Sequence, residues 1–324
     1  MKKILGLGNP LVDVLTILES DDLLTDFSLP KGSMQLVNEE LSGKISAKLK
    51  NDNRFLVTGG SASNTISGLA KLGVSVGFSG KIGNDEIGAF FQADSERIGV
   101  KSHLVQSASP SGVCISLVSP GGERTMATCL GAACEMMPSD LHEDLFTGYD
   151  YCHIEGYWVQ NRELILTAMQ MAKKSGLKIS LDLASYNIVL ENLDFLKQIT
   201  KDYVDILFAN EEEAKAFTGK EPKEALDEIA SICEIAVVKL GAQGSYIKRG
   251  AYKYEIASMP NAVCLDSTGA GDLYAAGFLY GLTEELPLQE CGKIASIVAG
   301  NVIQVIGPKL DDEKWERIKS SIQS

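Results

Sequence analysis

Short apolar runs recur along the chain, many of them rich in β-branched residues: 4–8, 55–58, 74–80, 113–118, 178–183, 206–209, 236–240 and 244–248. Continuous apolarity without period-2 alternation is the mark of strands buried on both faces, so each run reads as a core strand. Helical patterns lie between several of them. Leu164, Ile165, Ala168, Met171 and Ala172 share one helical face, and residues 64–72 are short and helix-compatible. Alternating strands and helices predict an α/β fold, with a mostly parallel sheet and helices on both of its faces.

Residues 12–40 and 100–130 break the alternation. In the second stretch Gly112-Val113-Cys114-Ile115-Ser116-Leu117-Val118 is followed by Pro120-Gly121-Gly122 and then Arg124-Thr125-Met126-Ala127-Thr128. Strand, glycine-rich turn and strand read as a hairpin. The two stretches together predict a small β-lid, discontinuous in sequence, growing out of one domain over residues 1–324. No internal repeat, low-complexity tract or Pro/Ser-rich linker argues for a domain boundary. An exposed lid edge invites pairing with a second subunit, so the expected states are a monomer or a homodimer through the lid.

Charge narrows the partners. Thirty basic against 43 acidic residues leave a net charge of −13. Such a surface repels phosphate backbones, and no nucleic-acid partner is expected. A small anion needs a local trap of backbone N–H groups or a few cations. Seven scattered cysteines without a C-x-x-C pair argue against a disulfide framework, and three histidines without ligand spacing argue against a histidine metal site. Met1-Lys2-Lys3 and the apolar residues after it begin like a signal peptide, but Asn9, Pro10 and Asp13 end the run too soon. With no stretch near the roughly 18 apolar residues of a membrane span, the expectation is a cytoplasmic protein without a membrane partner.

Four motifs carry candidate chemistry. The strongest is Asp266-Ser267-Thr268-Gly269-Ala270-Gly271-Asp272 ahead of an apolar, helix-compatible stretch. A helix starting near Ala270 presents unpartnered N–H groups and its positive dipole end, an anion hole suited to a phosphoryl group. Asp272 in its first turn can take a proton from a hydroxyl held against that hole. The plainer alternative makes Asp272 a dipole-favoured acid and Thr268 an N-cap. The second motif is Gly59-Gly60-Ser61-Ala62-Ser63-Asn64, where paired glycines allow close ligand approach, or merely a capped strand-to-helix turn. The third is Asn210-Glu211-Glu212-Glu213 after a strand, on the side where open α/β sheets bind ligands. It reads equally as an acidic first helical turn capped by Asn210. The fourth, Lys239-Leu240-Gly241-Ala242-Gln243-Gly244-Ser245, is a nucleotide-facing loop or a hairpin turn. Gly6-Leu7-Gly8-Asn9-Pro10-Leu11 fails the dinucleotide fingerprint at its third glycine, which disfavours an oxidoreductase, and neither a P-loop nor a G-x-S-x-G elbow occurs.

Together, and in this order, the four motifs resemble the signatures of the PfkB family, the ribokinase-like sugar and nucleoside kinases. The opening Gly8-Asn9-Pro10-Leu11-Val12-Asp13 and the run Val204-Asp205-Ile206-Leu207-Phe208-Ala209-Asn210-Glu211 are similar to adenosine kinases. Gly121-Gly122-Glu123-Arg124-Thr125 is more like the lid of bacterial sugar kinases. The resemblance implies a three-layer α/β/α core with a β-lid. It also implies transfer of the ATP γ-phosphate to a primary hydroxyl of a nucleoside or sugar: adenosine, another purine nucleoside, ribose, fructose or 2-keto-3-deoxygluconate. Carried over by position, Asp272 is the general base, and the backbone of Gly269, Ala270 and Gly271 forms the anion hole. Asn210 and Glu213 organise Mg²⁺ through water. Asp13, Gly60 and Asn64 bind sugar hydroxyls, and Arg124 approaches from the lid. Lys239, Gly241, Gly244 and Thr268 lie on the nucleotide side. A monovalent cation such as K⁺ would sit near Asp266 and Thr268. Phe27, Met34, Met126 and Tyr157 are candidates for a wall that stacks a base. A binding protein that kept the fold without the chemistry is the alternative of a different class.

Overall fold

A strand that is apolar at every position needs cover on both faces. In the computed structural model, which describes residues 2–49, 54–121 and 123–323, most of the predicted strands have it. The main sheet runs in the order Tyr252–Ile256, Ser245–Arg249, Ile235–Lys239, Ile206–Asn210, Lys178–Asp182, Tyr151–Glu155, Ile4–Leu7, Val76–Ser79 and Val100–Ser102. The first two pair antiparallel and the other seven are mutually parallel. Successive side chains of one strand serve opposite cores. Ile4, Phe208 and Val237 lie under helices Ser61–Lys71, Ala270–Thr283 and Leu288–Val302. Leu5, Leu207 and Val238 lie under Arg162–Lys174, Leu193–Tyr203, Glu211–Thr218 and Pro222–Ile229. This is the three-layer α/β/α arrangement that the alternation predicts. Among the described residues, no helix is long and apolar enough to cross a membrane, and all seven cysteines are free thiols.

A second sheet of five strands has the order Met34–Leu36, Arg124–Cys129, Gly112–Val118, Leu11–Ile17 and Arg54–Gly59. Gly112–Val118 and Arg124–Cys129 pair antiparallel; Gly122 of their turn lies outside the described residues. One face, with Ile115, Leu117 and Ala127, packs under helix Glu39–Lys48.

Two expectations need correction. The run 55–58 is not a core strand: it forms the edge of the small sheet, antiparallel to Leu11–Ile17, and leaves Phe55 59% and Leu56 41% exposed. Its apolarity serves a sheet covered on one face only. Residues 100–107 do not join the small sheet. A β–α–β crossover through helix Glu86–Arg97 sets Val100–Ser102 beside Val76–Ser79, and Val105–Ser107 pairs with Lys81–Gly83. Only from Gly112 onward does that stretch build the second sheet.

Candidate active site

Parallel strands all point their C-terminal ends to one edge of the sheet, and side chains there face the crevice where such sheets bind ligands. Glu155, Asp182, Asn210 and Lys239 are the last residues of four neighbouring strands. Gly8 and Asn9 follow a fifth.

The glycine-rich motif sits above this edge. Gly269 is the N-cap of helix Ala270–Thr283, at φ 76°. A Cβ there would lie 2.6 Å from the Pro308 side chain, so only glycine fits both the conformation and the space. Thr268 is therefore not the cap. The Ala270 N–H is already committed to the Ser267 carbonyl, at 3.1 Å. Gly271 and Asp272 head the helix with no intrahelical acceptor for their N–H groups, so these two, with the Gly269 N–H and without that of Ala270, are the amides free to meet an anion.

The second motif meets the first. Gly60, at φ 94°, caps helix Ser61–Lys71, and a Cβ there would lie 2.2 Å from the Asn9 carbonyl oxygen. From this helix Ser61 Oγ donates to Asp272 Oδ1 at 2.7 Å, Asn64 Nδ2 to Asp272 Oδ2 at 3.0 Å, and Thr65 Oγ1 to the Asp272 carbonyl at 3.1 Å. Burial pushes the Asp272 carboxyl up to about 6. The Asp182 charge adds to this, while the Asn64 and Ser61 hydrogen bonds and Lys239 oppose it. Asn64 is 6% exposed, and its Oδ1 has no hydrogen-bond partner among the described residues. A buried carbonyl oxygen left in this way costs stability unless a ligand satisfies it.

Acids line the floor. Asn210 Oδ1 accepts from the Glu213 N–H at 2.8 Å, while the Glu213 carboxylate accepts from the Asn210 N–H and Nδ2, each at 2.8 Å. The N-cap reading of this motif is thus correct as geometry. Burial foremost raises the Glu213 carboxyl to about 7, with Asp182 adding and Lys239 opposing. Glu155 is buried and accepts from the Asn9 and Ala62 N–H groups at 2.9 and 3.1 Å, tying two motifs together. Burial pushes it to about 8. No trio of His, Cys, Asp or Glu among the described residues is arranged to ligate a metal directly. Hard carboxylate oxygens held against one another still match the chemistry of a hydrated divalent cation.

The small sheet covers the crevice. Asp13, Leu15, Phe55, Met126 and Met34 share one face by register. Burial raises the Asp13 carboxyl, which packs against Gly59, where a Cβ would lie 2.8 Å from Oδ2. Arg124 reaches into the core: its Nη1 donates to Asp266 Oδ2 at 2.7 Å and to Thr268 Oγ1 at 3.2 Å. It is not a solvated hairpin arginine. Asp266 also accepts from the Thr268 N–H and Oγ1 and from the Gly307 N–H, at 2.9, 2.6 and 2.8 Å. Burial alone would raise its carboxyl, but these bonds and the Arg124 charge hold it below the usual range. With a guanidinium in place, Asp266 and Thr268 do not fit a monovalent cation. Gly241 and Gly244 frame the turn between the antiparallel strands Ile235–Lys239 and Ser245–Arg249. Phe27 packs behind the small sheet, whereas burial beside Glu155, Asp272 and Glu213 pushes the Tyr157 hydroxyl to about 12 and marks it as a neighbour of the site.

Three site residues are absent from the sequence motifs: Glu155, Asp182 and Lys309. The first two are acids ending core strands, the same signal that drew attention to Asn210 and Glu213. Lys309 donates to Ser67 Oγ at 3.1 Å. Burial lowers it to about 8, against the charges of Asp94, Asp13 and Asp272. Nothing in its local sequence marks it.

Comparison with known proteins bears on the family and the fold. The model of the pfkB family carbohydrate kinases matches residues 35–315. The structure is similar to a probable sugar kinase from Rhizobium etli CFN 42, with a TM-score of 0.88 and 32% identity over 99% of this chain and 98% of that one. It is similar to the adenosine kinase of Sinorhizobium meliloti, with a TM-score of 0.86 and 31% identity over 98% of each. An adenosine kinase of Saccharomyces cerevisiae is 28% identical over 338 residues, spanning 95% of this chain and 96% of its own.

Proposed function

The chain belongs to the pfkB family of carbohydrate kinases and is a phosphotransferase; from that premise we propose that it moves the γ-phosphate of ATP to the 5′-hydroxyl of a ribonucleoside, adenosine first among them. One observation carries the reading. Asp272, a carboxylate of raised pKa at a helix N-terminus, is held by Asn64, whose own carbonyl oxygen is buried without a partner. A sugar carrying several hydroxyls supplies what both lack: one hydroxyl donates a hydrogen bond to Asn64, and another, the acceptor, gives its proton to Asp272.

The acceptor oxygen attacks the γ-phosphorus as its proton passes to Asp272. The bond from phosphorus to the bridging oxygen breaks, and its electrons leave on ADP. Asp13, Gly60 and Asn64 hold the ribose, and the N–H groups of Gly271 and Asp272 face the developing charge. Gly241 and Gly244 shape the loop beside the nucleotide. Asn210 and Glu213 would hold Mg²⁺ through water, and the ion when bound would supply charge neutralisation on the phosphates. The small sheet serves as a lid that excludes water. The nucleoside is favoured over a free sugar by the apolar side chains in line with Asp13, with Met34 49% exposed, and by the two adenosine kinases similar over nearly the whole chain.

A dead-end analogue tests the acceptor. 5′-Deoxyadenosine should inhibit competitively against adenosine and release no ADP. Absence of inhibition at millimolar concentration, with ribose turned over instead, sinks the nucleoside reading.

Two further outcomes follow. Because Asp272 must be ionised to accept a proton, kcat/KM should fall about tenfold per pH unit below about 6 and level off above it. An acid limb that bends near 4 would place the base elsewhere. Arg124→Ala removes the lid's charged contact with the core and should lower kcat/KM about tenfold, the scale of one charge-assisted hydrogen bond. A variant with unchanged kinetics would make that contact purely structural.

A further inference from the structure

Lys239 ends strand Ile235–Lys239, after four buried residues that drive it to the site edge. Its Nζ lies 2.7 Å from Asp182 Oδ2, with the two side chains 13% and 7% exposed. A Cβ on Gly271 would stand 3.1 Å from that same nitrogen. The ammonium is therefore pressed against the second residue of helix Ala270–Thr283, beside the amides that form the anion site.

This placement is costly. A helix N-terminus carries positive partial charge and repels a cation. A buried ion pair such as Lys239–Asp182 adds little net stability, because desolvation offsets the attraction. The groups facing the ammonium are Asp182, Glu213 and Asp272, each from a different element, with His153 behind Asp182. Burial alone would lower the lysine pKa, but the three carboxylates hold it above the ordinary value. So it stays charged. One of its three N–H donors is engaged by Asp182, and a lysine offers three. Gly271 leaves a compact ammonium just enough room, and a planar guanidinium would need more.

We propose that Lys239 is a catalytic residue of phosphoryl transfer, its ammonium held by Asp182 against Gly271 so that it contacts the γ-phosphoryl oxygens between the helix amides. The inference rests on the kinase reading above and deepens it. Lys239 gives up no proton. The acceptor's proton goes to Asp272 and the bridging electrons go to ADP, while the ammonium binds the charge that spreads over the γ-oxygens. Asp182 is a positioning residue, acting through the lysine. A cation at the positive end of a helix then has a reason: the two attract one shared anion.

The test compares nucleotides that differ by the γ-phosphoryl group. Affinities for ADP and for the non-hydrolysable AMP-PNP are measured by calorimetry with Mg²⁺, alongside kcat. Lys239→Met leaves Asp182 buried and unpaired, so Lys239→Met/Asp182→Asn is made as well, removing both charges if the single variant misfolds. The expected result is at least a tenfold loss of AMP-PNP affinity, ADP affinity within twofold, and kcat down by ~10²-fold, the scale of removing one preorganised donor. A purely structural role would weaken both nucleotides together, and that outcome overturns the proposal. So does a folded double variant with kcat and AMP-PNP affinity within threefold of the parent. If the parent protein turns over no acceptor at all, the acceptor reading fails. Selective loss of AMP-PNP binding in the variants still supports the role of Lys239, and equal loss of both nucleotides still rejects it.

Discussion

Asp272→Asn should lower kcat by at least ~10²-fold, the lower bound for removing a positioned base, with the acceptor's KM changed only a few-fold. The substitution keeps shape and removes charge. Asparagine can still accept from Ser61, but its amide would meet the Asn64 amide, donor against donor. Asn64 relieves that conflict by flipping, which turns its orphan carbonyl away from the acceptor, so Asp272→Ala is the needed companion. Stability should not suffer. Burial raises the carboxyl from an ordinary 3.8 to about 6, so the folded state binds the proton more tightly than the unfolded chain. Ionising Asp272 thus lowers stability as pH rises from 3.8 to about 6, and the loss persists above that window. At pH 8 the asparagine variant should melt at or above the parent's Tm. Steady-state kinetics with a thermal melt checks both, and turnover within tenfold of the parent refutes the base.

Gly269→Ala should be nearly as severe by a different route. An alanine at φ 76° pays left-handed strain of about 1–2 kcal/mol. Its Cβ also meets Pro308 at 2.6 Å, and neither the proline ring nor the helix start can yield without moving the anion-site amides. A displacement near 1 Å at reacting groups costs about 10²-fold, so kcat should fall by at least that. Gly148 supplies the control. It sits at φ 82° with open space around its Cβ position, in the turn before Tyr151–Glu155, at the opposite end of the sheet from the site. Gly148→Ala should lose only the stability that left-handed strain costs, without a clash, and keep its kinetics. Equal activity in both variants would remove the anion-site argument for Gly269.

Much of this was legible in the residues. Runs such as 206–209 and 236–240 announce buried parallel strands because nothing polar interrupts them, and the structure gives Ile206–Asn210 and Ile235–Lys239. Residues 266–272 mark a helix N-terminus because glycines ahead of an apolar stretch have few other uses. The run 55–58 misleads, since an apolar edge strand on a small sheet has the same composition as a core strand. Glu155 and Asp182 look like single acids in sequence. Their weight comes from neighbouring strands ending at one edge, a fact of pairing rather than composition. The contact between Arg124 and Asp266 spans 142 positions, beyond any local pattern. The resemblance puts Lys239 on the nucleotide side, but only the packing of Gly271 shows where its ammonium lies.

The most direct test of the central claim is ADP release from ATP with Mg²⁺ across a panel of purine nucleosides, ribose and fructose, with Asp272→Asn as the blank. Turnover with adenosine that disappears in the variant is the predicted result. Turnover no higher than the blank with every acceptor would contradict it.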